Sequence, residues 1–459
     1  MIDRLWLQPP LAIARLGPSP VPCDNYRWGP SDLSARGSGK TTVEPAPTLD
    51  LAPDGTLTER TPDRAVFKDE HGWRPVCPYF ELHGSWTVDG TGRTGPLTEA
   101  VLAQFGLGLA DLRWQVAVAN HKAHHYTQSP GDRIEARAEV RGDDHTRHPL
   151  DGTSPQGAAP QDASPPLVGP GRRLPLGAVQ VPAPNDRLPE LRLRFTPAVG
   201  AVYGPTDLPN EPAAPGEPEA YLLPPERLIL NPDAVWCGFP LAETSTDPRT
   251  MPPGLFANAE NQVSLGLIDD VCDGTVTVTL PGGLSATARI VASPPDFAPD
   301  RRPFVSLADG LVDRVRRAEV QDPAYLADER QTALEIRDLF ERILETMGNI
   351  NVDVQNERVG FPLPVPEELT GVVLGLTENG RRRHRRFVAL EVLEDLLREQ
   401  PELIGRVVRE PVPDDPGFDA RMPVAMRGAD AAALHLTRRQ YDLLVAWARS
   451  LRADTEVGS

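Results

Sequence analysis

The sequence predicts an α+β protein: a β-rich, sandwich-like body over residues 1–303 with long Pro-rich loops, then a smaller, mainly helical region over 304–459. Two observations predict it. Apolar residues recur at every second position in several segments before Pro303, and at three- and four-residue intervals after it. The chain also carries 51 prolines in 459 residues, about twice the usual share, which disfavours long helices and favours turns, edge strands and extended connections. Hydrophobic residues at 40% and charged residues at 24% mark a chain that folds.

Leu11 to Leu16 reads as a strand closed by Gly17-Pro18. Residues 18–63 show no sustained period and read as a long connection with one short strand. Residues 76–88 partly alternate and are rich in aromatics, which predicts a strand. Leu97 to Leu107 has helical spacing. Leu112, Trp114, Val116 and Val118 alternate with polar or small residues, the signature of a half-buried strand. Residues 141–170 read as a mobile polar surface loop, Leu191 to Phe195 as a half-buried strand, and Pro205 to Pro225 as Pro-rich loop. Thr275 to Leu280, Pro281-Gly282-Gly283 and Leu284 to Val291 form a β-hairpin pattern. Many short strands with decorated loops are naturally buried as a sandwich. Beyond Pro303, helical spacing covers Leu307 to Val320, Thr332 to Met347, Phe387 to Glu399 and Leu436 to Leu451, with Thr437 placed to cap the last.

The formal charge of −18 gives a field that repels phosphate backbones and anionic lipids, so no nucleic-acid or membrane partner is expected. The one basic run, Arg381 to Arg386, reads as a solvated loop or helix start. Met1 to Leu7 is not a signal peptide, and no apolar run is long enough to span a bilayer. Cys23, Cys77, Cys237 and Cys272 form no CxxC pair and no disulfide scaffold. The expectation is a cytoplasmic protein with reduced thiols.

Few segments carry chemistry. Gly37-Ser38-Gly39-Lys40-Thr41 looks like a phosphate loop, but Ser34 stands where a Walker loop needs Gly, and neither strand nor helix flanks it. His121, His124 and His125 follow the strand at 112–118. On a helical turn His121 and His125 face one side, which suits a transition metal, with His83 or Asp269 as further ligands. The plainer reading is a strand-end turn whose histidines bond locally or face solvent. Asp269, Asp270 and Asp273 suit a hard cation, or an Asx-type turn into the hairpin, which Gly274 favours.

Several patches resemble one family. Pro9-Pro10-Leu11-Ala12-Ile13-Ala14-Arg15-Leu16-Gly17 resembles the opening of the LodA-like family, the lysine ε-oxidase and glycine oxidase quinoproteins, with Gln8 and Pro18 replacing a His and an Asn. Trp114 to Ala123 is similar to its Trp-x-Val-x-Leu-Ala-Asn-Lys-Lys-Ala, with His121 in place of the first Lys. Asp269-Asp270 to Thr277, then Pro294 to Pro299, resembles its Asp-Asp-x-x-Asp-Gly-Pro-Val-Thr block and the Pro-Pro-x-Phe-Ala-Pro that follows. Met422-Pro423 and Leu436-Thr437-Arg438-Arg439-Gln440-Tyr441 to Ala448 resemble its Met-Pro and the Leu-Thr-x-x-Gln-Tyr-x-x-Leu-x-x-Trp-Ala helix that follows.

The resemblance implies an oxidoreductase acting on an amine or amino-acid-type substrate, with a cysteine tryptophylquinone matured with help from a partner flavoprotein. The quinone-forming Cys and Trp of that family follow the Gln-Tyr…Trp helix. Here the residues after Trp447 contain neither, and no Cys lies beyond Cys272. The quinone-bearing region is therefore expected to be missing. Two readings stay open: a homologue that oxidises amines without the quinone, metal-assisted in one form, and a cofactor-free binding or scaffold protein. If no quinone forms, the intact mass of the purified, reduced chain equals that of the unmodified sequence. A mass carrying a Cys–Trp crosslink and added oxygen, or a redox-cycling stain, would overturn this.

Overall fold

The computed structural model describes residues 1–31, 41–155, 167–169, 171–204, 220–222, 228–230, 267–296, 298–347, 399–411, 426–427, 432–433 and 435–457. The chain divides into two units: Met1–Tyr26 with Pro45–Phe297, and Arg27–Glu44 with Ala298–Ser459.

The main strands of the first unit are, in chain order, β1 (Ile2–Gln8), β2 (Leu11–Arg15), β3 (Tyr79–Val88), β4 (Thr91–Pro96), β5 (Arg113–Asn120), β6 (Ile134–Arg141), β7 (His148–Gly152), β8 (Leu174–Gln180), β9 (Arg192–Pro197), β10 (Cys272–Thr279) and β11 (Ser285–Ser293). Alternation decides what each contributes. In β5, Trp114, Val116, Val118 and Asn120 turn inward; in β3, Phe80, Leu82 and Trp86 do so, while Tyr79, Glu81 and His83 turn outward. One sheet runs β1-β3-β9-β8-β7, with β4 also paired to β3; the other runs β6-β5-β10-β11-β2. Their inward residues form one apolar core, with Phe80, Leu82 and Phe195 from the first sheet and Trp114, Val276 and Ile290 from the second. The unit is a β-sandwich. β2 pairs with β11 in parallel, and the other pairings within the two sheets are antiparallel.

The hairpin at 275–291 is present and longer than its apolar pattern, as β10 and β11. Several expectations need correction. Residues 18–63 hold more than one strand: Thr48–Leu51 pairs with Leu57–Arg60 around Pro53-Asp54-Gly55, where Asp54 Oδ1 accepts from Thr56 N at 2.9 Å and Gly55 takes a φ of 89°. The span 141–170 is not wholly loop, since β7 lies within it and pairs with β8; only Leu150 and Gly152 are buried there, too few to show a period. Leu97 to Leu107 yields a helix only at Glu99–Ala103, capped by Thr98 and followed by Gly106 at φ 70°. The 37–40 part of the phosphate-like loop, the basic run at 381–386, Met422-Pro423, and most of 205–225 and 387–399 lie outside the described residues.

The described part of the second unit is mainly helical. Its longer helices are α1 (Leu307–Arg316), α2 (Glu329–Met347) and α3 (Arg438–Val457). α2 buries Thr332, Ile336, Leu339 and Ile343, a three- and four-residue stripe, and α3 buries Tyr441, Leu444, Trp447 and Ala448. Ahead of α3, Thr437 Oγ1 accepts from Gln440 N at 3.2 Å, and Gln440 Oε1 accepts from Thr437 N at 2.9 Å. The Leu-Thr-x-x-Gln pattern is therefore a capping box. Arg302 binds Asp338, Glu341 and Glu345 of α2, and Arg342 of α2 binds Asp309 of α1.

Gly274 in β10 lies so close to β5 that a Cβ there would stand 2.0 Å from Ala117 O and 2.8 Å from Val118 Cα. Gly274→Ala is expected to part the central strands and cost about 3 kcal/mol or more, read as a lower urea midpoint. An unchanged midpoint would mean that β5 and β10 are not packed this closely.

Candidate functional site

The alternation of β5 ends on a polar residue. Asn120 occupies the inward register after Trp114, Val116 and Val118, and it is buried. A buried amide needs partners. Asn120 Nδ2 donates to the Asp269 backbone oxygen and to Asp269 Oδ1, each at 2.9 Å, while Asn120 Oδ1 accepts from Lys122 N at 3.1 Å. Lys122 Nζ completes the contact at 2.6 Å from Asp269 Oδ2. Asp269 itself is 2% exposed. Burial pushes its carboxyl above the usual range, and the Lys122 ammonium pulls it back part of the way.

Asp270 faces a different partner. It is fully buried, and its Oδ2 accepts from Gly200 N at 3.0 Å and Ala201 N at 2.9 Å. Gly200 takes a φ of 86°, the left-handed conformation that glycine adopts without strain. Asp270 Oδ1 is buried without a hydrogen-bond partner. Burial raises this carboxyl to about 7; the Ala201 N–H opposes the rise and the neighbouring Asp269 adds to it.

The histidines follow on a short helix, Lys122–Thr127, whose first turn is closed by His125 N donating to His121 O at 2.9 Å. The expected helical turn is present. His121 Nε2 lies 3.5 Å from Glu135 Oε1 on β6. His124 Nδ1 lies 2.8 Å from Ser129 O, and Arg133 Nε donates to His124 Nε2 at 3.0 Å. His125 is exposed. His83 is elsewhere, on the outer face of the first sheet, with Nε2 2.8 Å from Glu81 Oε1 and its ring tilted over Trp6 at 5.8 Å. Glu81 also binds Arg192.

The four residues predicted as ligands, His83, His121, His125 and Asp269, are therefore not brought together. His83 projects from one sheet, His121 and His125 follow a strand of the other, and Asp269 is held by Asn120 and Lys122. Among the described residues, no three His, Cys, Asp or Glu side chains form a group that could hold a metal ion. Sequence reasoning singled out the histidines and passed over Asn120 and Lys122. The signal was available: Asn120 continues the inward register of an otherwise apolar strand, which requires a buried polar partner.

A second long-range contact joins other patches. Arg15 Nη1 donates to Ser293 Oγ at 2.8 Å and to Pro294 O at 3.0 Å, and its Nη2 lies 3.9 Å from Asp296.

No family model and no curated protein matches this chain. Among solved structures, it is similar to the epsilon-lysine oxidase from Marinomonas mediterranea, at 15% identity and a TM-score of 0.45, over 97% of this chain and 61% of that one. It is also similar to the Schiff base intermediate of L-Lys epsilon-oxidase from the same organism with L-Lys, at 14% identity and a TM-score of 0.46, over 97% of this chain and 60% of that one. The chain thus spans about three fifths of the length of these solved chains.

Asp270 sets a pH dependence. An unfolded aspartate titrates at about 4, and burial raises the folded one to about 7. Between these values the folded chain holds a proton that the unfolded chain has lost, so stability falls as pH rises through the window and levels off above it. Asp269 acts in the same direction. The expected result is a urea midpoint that drops from mildly acidic to neutral pH, with a shallower drop in Asp270→Asn. Parallel curves for the two proteins would show that Asp270 carries no such linkage.

Proposed function

We propose that this chain is an oxidoreductase-type homologue of the LodA-like quinoproteins, acting on an amine or amino-acid-type group without a tryptophylquinone made from its own residues. One observation carries the reading. Patches that resemble the family in sequence bind one another in space: Arg15 of the first meets Ser293, Pro294 and Asp296 at the third, and Asn120 and Lys122 of the second meet Asp269 of the third. Side chains separated by more than 140 residues, each within a patch that resembles the family locally, serve as one another's partners. Retention of mutually dependent residues is what a shared framework requires. No metal held jointly by His83, His121, His125 and Asp269 enters this reading.

A second reading has its own support. The resembling side chains are engaged by the fold: Asn120 and Lys122 bind Asp269, Thr437 and Gln440 cap a helix, and Arg15 ties down a strand end. A framework used in this way fits a cofactor-free protein that binds an amine-bearing ligand without oxidising it. Fold and reaction are separable in this manner.

The purified chain, expressed with and without a maturing flavoprotein, is to be incubated in air with L-lysine and with glycine. Hydrogen peroxide, ammonia and quinone staining are then measured. Release of peroxide and ammonia without a quinone stain, and without benefit from the flavoprotein, is the expected outcome. Calorimetric binding without turnover would leave the second reading in its place, and turnover with a positive quinone stain would overturn the quinone-free part.

A further inference from the structure

Two cysteines share one carbonyl, away from the junction at Asp269, Cys23 through its backbone N–H and Cys77 through its thiol. Cys23 belongs to the connection that follows β2, and Cys77 stands just before β3. The connection runs along residues 73–77: Arg15 N donates to Val76 O at 3.3 Å and Val76 N to Arg15 O at 3.0 Å, while Ser19 N donates to Trp73 O at 3.2 Å. Cys23 N then donates to Pro75 O at 2.8 Å. The Cys77 thiol turns back to the same Pro75 oxygen, with Sγ at 3.8 Å. Both cysteines are unpaired and partly exposed.

The Cys23 thiol itself donates to Asp24 O at 3.6 Å and to Val66 O at 3.7 Å. A charge on the Cys77 thiol raises the pKa of the Cys23 thiol. Each also has a guanidinium that favours its thiolate, Arg74 for Cys23 and Arg194 for Cys77. Cys272 differs: it is buried in β10, and its thiol donates to Leu176 O at 3.4 Å.

We propose that Cys23 and Cys77 are an oxidisable pair that closes to an intramolecular disulfide in the presence of a peroxide, clamping the connection after β2 to the start of β3. Peroxide transfers one oxygen to a thiolate, its O–O bond breaks, and the departing hydroxide takes the proton of that thiol to give water. The second thiolate attacks the sulfenic sulfur; an S–S bond forms, the S–O bond breaks, and the released hydroxide takes the second proton as water. Each sulfur loses one electron and the peroxide gains two. Burial pushes the Cys23 thiol up to about 12 and raises Cys77 as well, so thiolate is scarce at neutral pH and closure accelerates as pH rises. The inference goes beyond the amine-oxidising reading and does not depend on it.

The test treats fully reduced whole chain with hydrogen peroxide at neutral and mildly alkaline pH, blocks residual thiols with an alkylating agent, and maps peptides by mass spectrometry. A Cys23–Cys77 linked peptide is expected, formed several-fold faster at the higher pH and released by a phosphine reductant. Monomer should persist on non-reducing gels, and the oxidised chain should melt several degrees above the reduced one, because the bridge constrains the unfolded state. Cys23→Ser and Cys77→Ser should each abolish the linked peptide. Mapping of the unsubstituted chain decides the matter even if a variant fails to fold. Recovery of Cys23 and Cys77 as separate alkylated or sulfinic residues, or a bridge only between molecules, would overturn the proposal.

Discussion

Burial of the Asp269 carboxylate is the constraint around which the β-sandwich is arranged. A carboxylate removed from water costs several kcal/mol unless charge and hydrogen bonds replace the lost solvent. Here both replacements come from one place, the end of β5, where Asn120 supplies the amide and Lys122 the ammonium. The contact fixes where β5 stops and where the chain enters β10. Asp270 then aims the other way and holds the turn at Gly200 and Ala201. Two consecutive acidic residues thus join three separate stretches of chain, and Gly274 lets β10 lie against β5 immediately afterwards.

This economy bears on function. Residues that look like chemistry in a linear reading are spent on geometry in the folded unit. Lys122 neutralises Asp269, His83 shares Glu81 with Arg192, and His124 is held by Ser129 and Arg133. The same holds for the helical unit, where a conspicuous Thr-x-x-Gln pattern is a capping box. Patterns of this kind persist wherever a framework persists, whether or not the framework still carries a reaction.

Much of the sandwich was legible in the sequence, and the parts that were not share a physical cause. β5, β9 and the β10–β11 hairpin alternate over enough residues to announce themselves. β4 is exposed at nearly every position, so no apolar period marks it. β6 buries Ile134, Ala136 and Val140, in which alanine dilutes the signal, and β7 buries only two positions. These strands exist because neighbours offer backbone partners, which single-segment patterns do not record. The candidate site failed to show for a related reason. A cluster of imidazoles is conspicuous along the chain, whereas the buried junction joins Asn120 to an aspartate 149 residues away. Local sequence carries half of such a contact.

The parallel edge of the second sheet has a consequence in time. β2 occupies residues 11–15, yet its ladder partner is β11, and Arg15 reaches Ser293 across 278 residues of chain. During synthesis the first strands leave the ribosome long before β11 exists. Until then β2 presents open backbone donors and acceptors and the apolar faces of Ala12 and Ala14. Closure of so long a loop is slow compared with local hairpins, so β2 docks only after the β10–β11 hairpin is in place, although β1 beside it pairs with β3. The interval between its emergence and its docking is the period in which a nascent chain of this protein most needs a chaperone.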